Sequence, residues 1–123
     1  NIKFVGPSKK MNLIYSVADI VLSCSTDPEA FGRIPVEAQS MGKIIIASDH
    51  GGHKETVYEG ISGFLYDPNQ PQDLADAILK VLVSEQYLDK SYQLKRRNLI
   101  IENYTVEKMC QQTLEIYNKV LVA

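Results

Sequence analysis

Two short, uninterrupted apolar runs, Ile20-Val21-Leu22 and Ile44-Ile45-Ile46-Ala47, constrain the fold of this chain more than any other feature. A strand without polar alternation is apolar on both faces. It needs cover on both sides, as in a parallel sheet flanked by helices. Pro35 to Met41, between the runs, reads as a short helix stopped by Gly42, a residue suited to the position just past a helix end. Pro35 suits a first helical position, where its missing N–H costs nothing. The same alternation extends outward. Ile2 to Val5 reads as a first strand ending at Gly6-Pro7, and Lys9 to Ala18 as a helix with Met11, Ile14, Tyr15 and Ala18 on one face. Ile20 to Cys24 and Ile44 to Ala47 follow as strands. His53 to Tyr58 is a short helix that stops at Gly60, and Phe64 to Tyr66 is a last short strand. Strand and helix in turn predict the α/β class with a parallel sheet and helices on both faces.

The remainder reads as helical. Pro71 to Val83 puts Leu74, Ile78, Val81 and Leu82 on one face. Ser84 to Asn103 is more polar. Thr105 is a good N-cap for a final helix, whose stripe of Val106, Met109, Cys110, Leu114, Tyr117, Val120 and Leu121 is expected to be buried. No internal repeat or low-complexity segment is present.

At 123 residues the chain is one domain at most. A net charge of −2 gives no electrostatic basis for nucleic-acid binding. Cys24 and Cys110 lie far apart, in a strand and a helix, and read as buried reduced thiols of a cytoplasmic protein rather than a disulfide or metal site. There is no signal peptide and no apolar run long enough to cross a membrane. The chain opens on Asn1 and goes at once into a strand, so it reads as part of a longer protein.

The chemistry is concentrated in one segment. Glu29 and Glu37 have seven residues between them, Ala30-Phe31-Gly32-Arg33-Ile34-Pro35-Val36, and this loop runs into a helix start. Amides of the first helical turn have no partner within the helix, and the helix dipole favours an anion there. Gly32 permits close approach of backbone to a ligand. Glu37 shares a helix face with Ile34, Ala38 and Met41, where a carboxylate needs a partner. The bland reading of Glu37 is a first-turn residue complementing the dipole. Two hydroxyl-accepting carboxylates around an anion-friendly helix end suit a ligand that is part phosphate and part sugar.

Ala18-Asp19-Ile20-Val21-Leu22, Ser25 to Gly32 and Pro35-Val36-Glu37-Ala38 together resemble the retaining, nucleotide-sugar-dependent glycosyltransferases with two Rossmann-like domains. That family carries a segment E-x-F-G-x-x-x-x-E-A, here Glu29, Phe31, Gly32, Glu37 and Ala38. The resemblance continues through Ile45-Ile46-Ala47-Ser48, Gly51-Gly52, Glu55, Gly60, Gly63-Phe64-Leu65 and Pro68, and fades in the helical tail.

The resemblance implies a Rossmann-like C-terminal donor domain, incomplete at its N-terminal side, with residues 1–84 as the sheet part and 85–123 as the helical tail. Ile2 to Val5 would be an outer strand, separated from Ile20 to Cys24 by missing central strands. An N-terminal acceptor domain of the same enzyme is the implied partner, and part of the last helix's stripe would face it. The implied substrate is a nucleoside diphosphate sugar. Glu37 would take the ribose hydroxyls. Glu29 would face the donor sugar in the catalytic centre. Backbone at Phe31, Gly32, Arg33 and Ile34 would hold the sugar and meet charge on the leaving diphosphate. No metal or other cofactor is expected, since no paired carboxylates suggest a metal site. The fragment alone is expected to be inactive. Alternatives are a noncatalytic nucleotide-sugar-binding module and a sugar-nucleotide epimerase.

His50 and His53 flank the Gly51-Gly52 turn, which breaks any helical register, and read as structural or surface residues. His50 lies just past a strand's carboxyl end, where a minor ligand contact fits. Glu55 reads as a first-turn helix residue. Lys95-Arg96-Arg97 reads as a solvated helix face, with peripheral contact to anionic lipid at the inner face of the membrane as the lesser reading.

Overall fold

The computed structural model describes residues 2–122. Three parallel strands, β1 (Ile20–Ser23), β2 (Ile44–Ser48) and β3 (Gly63–Tyr66), form a sheet in the order β1-β2-β3. Helix α1 (Met11–Val17) precedes β1. Helix α2 (Arg33–Ser40) crosses from β1 to β2, and α3 (His53–Thr56) from β2 to β3. Then come α4 (Pro71–Leu82), a 3-10 turn (Glu85–Leu88), α5 (Lys90–Asn103) and α6 (Val106–Val122).

Successive strand residues point to opposite faces, so β2 feeds two cores. Ile44 and Ile46 join Phe64, Tyr66, Ala77, Val81 and Tyr87 on the side of α4. Ile45 and Ala47 join Tyr15, Ala38 and Val57 on the other side. All five residues of β2 are buried, and its β-branched isoleucines suit the pleat. The helices use local stops and starts. Pro71 opens α4, Gly42 ends α2 at a φ of 74°, and the Asp89 carboxylate accepts from the Ser91 amide at 2.7 Å to cap α5. Thr105 caps α6 as expected, its hydroxyl accepting from the Lys108 amide at 3.2 Å.

Several expectations are corrected. Ile2 to Val5 is not a strand. No strand lies beside it among the described residues, and Phe4 is 98% exposed. β1 is an edge strand, not covered on both faces: Leu22 is exposed. On α1 only Tyr15 is buried. On α4, Ala77 and Val81 are buried and Leu82 is exposed. The stripe of α6 is not covered: none of its described residues is buried. Both cysteines are free and exposed.

The basic run is a solvated face only in part: Lys95 and Arg97 are exposed, but Arg96 is not. Arg96 is 1% exposed. Its guanidinium donates to the carbonyls of Tyr92 (3.2 Å), Gly42 (3.2 Å) and Tyr87. Arg97 donates to the Ser40 carbonyl at 3.2 Å. Burial pushes the Arg96 guanidinium down to about 10, so it stays charged at neutral pH and needs those acceptors. Arg96 and Arg97 therefore clamp α5 onto the end of α2. No helix among the described residues is long and apolar enough to cross a membrane.

Candidate functional site

The candidate site forms where the chain leaves β1 and β2. Residues 24–32 connect β1 to α2. Gly32 is the N-cap of α2 at a φ of 75°, a conformation open to glycine at little cost. Pro35 is the third helical residue, not the first; that position also lies in the turn where an N–H has no intrahelical acceptor. The amides of Arg33 and Ile34, the first two of α2, have no acceptor among the described residues.

The Gly51-Gly52 turn after β2 packs directly on this loop. The Gly52 amide donates to the Glu29 carbonyl at 2.7 Å. A Cβ at position 52 would come 2.6 Å from the Phe31 backbone, and one at Gly32 would come 2.7 Å from Cδ2 of His53. Gly32 does provide close approach, but its neighbour is the His53 ring.

Glu29 and Glu37 flank the start of α2 and face different partners. Glu29, half-buried, accepts from the Ser25 hydroxyl through Oε1, while its Oε2 lies 3.9 Å from Nε2 of His53. Glu37 lines a cleft of about 520 Å³ between α1 and α2, together with Lys9, Asn12, Tyr15, Arg33 and Met41. It is not turned into an apolar interior, since Ile34 and Met41 on its face are exposed. It is paired nonetheless: Tyr15 donates its hydroxyl to Oε2 at 3.0 Å and Arg33 Nη2 lies 2.8 Å from Oε1. Burial first, then the hydrogen bond to Glu37 and its charge, push the Tyr15 hydroxyl up to about 12.

Phe31 is exposed. Its ring packs edge-on against Tyr104 at 5.7 Å, so its side chain turns toward the helical tail. The Arg33 side chain is 84% exposed apart from its ion pair. Glu55 sits in the first turn of α3 as expected, and its carbonyl accepts from the Tyr104 hydroxyl at 2.7 Å. Among the described residues no group of three or more His, Cys, Asp or Glu side chains is arranged to hold a metal.

The structure brings to this site two histidines that the sequence presents as structural or surface residues, with at most a minor ligand contact for His50. His53 is fully buried between the two loops. Its Nδ1 lies 3.0 Å from the Ser48 carbonyl oxygen and its Nε2 3.3 Å from Ser23 Oγ. His50 bonds the Ser25 carbonyl through Nε2 at 2.8 Å, and the two imidazoles stack at 5.8 Å. The readable sign was a histidine on each side of a glycine pair at a strand's carboxyl end. Tyr15 was readable only as an apolar-face residue.

The model of the family described as glycosyl transferases group 1 matches residues 1–109. The chain is 29% identical over 121 residues to a D-inositol 3-phosphate glycosyltransferase of Nocardioides sp., covering 96% of this chain and 26% of that protein. It is 33% identical over 120 residues to an alpha-maltose-1-phosphate synthase of Mycolicibacterium smegmatis, covering 93% of this chain and 30% of that protein. Among solved structures, Anabaena HepE in complex with UDP superposes with a TM-score of 0.84 at 30% identity, covering 95% of this chain and 32% of that one. The chain thus spans between a quarter and a third of the length of these relatives. Its parallel sheet with helices and a helical tail is the Rossmann-like architecture of those transferases. By the extent of that match, and with Glu29, Phe31, Gly32, Glu37 and Ala38 all in place, the chain belongs to the group 1 glycosyl transferases.

Proposed function

We propose that this chain is the donor-binding part of a retaining glycosyltransferase, which moves a sugar from a nucleoside diphosphate sugar to an acceptor hydroxyl in glycoconjugate synthesis. Residues 1–84 carry the site and 85–123 the helical tail. The observation that carries this reading is the start of α2: two amides without acceptors among the described residues, with Glu29 on one side and Glu37 on the other. Anabaena HepE has been solved with UDP, with UDP and glucose, and with UDP-glucose, and those ligands support the donor class here.

In this reading Glu37, already oriented by Tyr15 and Arg33, accepts from the ribose hydroxyls. Glu29 accepts from hydroxyls of the donor sugar. The backbone from Phe31 to Ile34 meets the negative charge that develops on the leaving diphosphate, a fixed arrangement that needs no reorganisation during the reaction. Those amides do the work a metal does elsewhere, so donor binding requires no divalent ion. Acceptor-side groups belong to another domain of the same enzyme. The enzyme works in the cytoplasm, where its two unpaired cysteines stay reduced.

Calorimetric titration of the full-length enzyme with a panel of UDP-, GDP- and ADP-sugars, in buffer containing EDTA, tests the reading. Glu37→Ala should weaken the best donor by about 1–3 kcal/mol, the scale for leaving ribose hydroxyls unpaired. Unchanged affinity in a folded variant would remove Glu37 from the ribose. Binding that appears only on adding Mg²⁺ would overturn the metal-free arrangement.

A further inference from the structure

His53 joins three parts of the candidate site through one side chain. It is the first residue of α3 and is fully buried. Its Nδ1 lies 3.0 Å from the Ser48 carbonyl oxygen at the end of β2. A carbonyl only accepts, so Nδ1 carries the proton and the ring orientation is set. The opposite edge of the ring then faces the end of β1 and the loop before α2. Nε2 is 3.3 Å from Ser23 Oγ and 3.9 Å from Glu29 Oε2, and Cδ2 lies directly beneath Gly32, the N-cap of α2.

Glu29 has no helix or strand to hold it, so its carboxylate direction depends on side-chain contacts. Ser25 holds Oε1, and Ser25 is itself tied down through its carbonyl by His50. A carboxylate fixed at one oxygen still turns about its last bond. On the Oε2 side His53 Nε2 lies 3.9 Å away. We propose that His53 is a positioning residue for Glu29: anchored on β2, its ring edge stops the carboxylate from rotating away from the donor sugar and sets the height of the α2 N-terminus beside it. The inference rests on the reading of Glu29 as the sugar-facing group. It adds that a side chain with no direct substrate contact determines how well Glu29 acts. The geometry also separates the ring's two functions. The Nδ1 side is structural, while Nε2, left as an acceptor, takes the Ser23 hydroxyl, and the same ring edge meets Glu29 by packing rather than by a hydrogen bond.

Two substitutions exploit that separation. In His53→Asn the amide nitrogen takes the place of Nδ1 and keeps the Ser48 bond, but the edge facing Glu29 is gone. In His53→Gln the longer amide reaches the place of Nε2. The assay is release of nucleoside diphosphate by the full-length enzyme, using whichever UDP-, GDP- or ADP-sugar gives the largest thermal shift. His53→Asn should lower kcat about tenfold with KM within about twofold, since small misplacement of a reacting partner acts on the chemical step. Its melting temperature should stay close to that of the parent, and His53→Gln should recover most of the lost kcat. The double variant with Glu29→Gln should be no slower than Glu29→Gln alone, because a positioning residue has nothing left to position. Multiplying losses in the double variant overturn the proposal. So does a parent-like kcat in His53→Asn while Glu29→Gln is impaired, or a loss of activity that only tracks the folded fraction. Parent-like kcat in Glu29→Gln would show instead that the underlying reading of Glu29 has failed.

Discussion

Strand β2 and helix α6 are both apolar enough to be core, and only one of them is. Every residue of β2 is buried, whereas none of the described residues of α6 is, although Leu114, Ile116, Tyr117, Val120 and Leu121 lie along it. β2 has a strand on each side, with helices above and below. α6 only lines an open groove with Phe31 and Tyr104, through Val106, Met109, Gln112, Thr113 and Ile116. Apolar pattern therefore gives a segment the capacity to be buried. Burial itself requires a partner surface, and that cannot be read from the segment alone. The residues of the candidate site follow the same division. Glu29, Gly32 and His53 sit where β1 and β2 end against covered backbone, while the tail contributes only Tyr104 against Phe31.

The sharpest way to break this contrast is to compare one atom added in the sheet with several removed from α6. Gly63 on β3 pairs beside Ile45, and a Cβ there would run into the Ile45 backbone carbonyl. Backbone cannot yield as a flexible side chain does. Gly63→Ala should therefore cost more than about 3 kcal/mol and leave little folded protein. Leu114→Ala, which removes three carbons from an exposed helix face, should fall within about 0.5 kcal/mol. Urea unfolding followed by circular dichroism measures both. Equal effects would mean that α6 is covered in solution and that the contrast is not a property of the fold.

The parts legible in the sequence were those decided locally. The isoleucine run specified β2, the alternation of elements specified a parallel sheet, and Gly42 and Thr105 marked helix ends at the positions observed. The loop carrying Glu29 and the helix carrying Glu37 were legible for the same reason. Illegible were the features that depend on distant residues. Ile2 to Val5 looks like a strand but has no neighbour to pair with among the described residues. Arg96 sits in a run of three basic residues, and only the carbonyls of Gly42 and Tyr87, far off in sequence or across a turn, explain why it is inside. His53 falls in a helix of four residues, too short for periodicity to show which way its side chain points.

Arg96 offers the next test, of intermediate size. It belongs to the tail by sequence and to the body by contact. Arg96→Met keeps an unbranched stem but leaves the Gly42 and Tyr87 carbonyls without their donor. The expected loss is about 1–3 kcal/mol, the cost of buried acceptors left unsatisfied, in part offset because a buried cation no longer needs solvating. Unfolding should be cooperative, with amide exchange accelerating at the end of α2 as well as in α5. Faster exchange confined to α5 would place Arg96 with the tail and weaken the division drawn above.

The smallest expected effect concerns α1, whose one buried residue is Tyr15. Its hydroxyl donates to Glu37 at 3.0 Å, and burial with that bond raises it from 10 to about 12. A group that holds its proton more tightly when folded contributes fully below the unfolded value. The contribution is lost as pH rises through the folded value, because between the two the unfolded chain has already released the proton that the folded chain retains. The window is therefore pH 10 to 12. Tyr66 and Tyr104, each raised to about 12 with burial as the main cause, lose stability over the same range, so wild-type alkaline unfolding does not isolate Tyr15. The difference between wild type and Tyr15→Phe does. At pH 8 the wild type should be more stable by about 1 kcal/mol, below the usual range of about 1.5–3 kcal/mol for a hydrogen bond to a charged group because the cleft is half open to solvent. That advantage should shrink and reach zero between pH 10 and 12, since phenylalanine has no proton to lose. A difference that stays constant across that range would mean that Tyr15 holds α1 through its ring alone, and that Glu37 owes its orientation to Arg33.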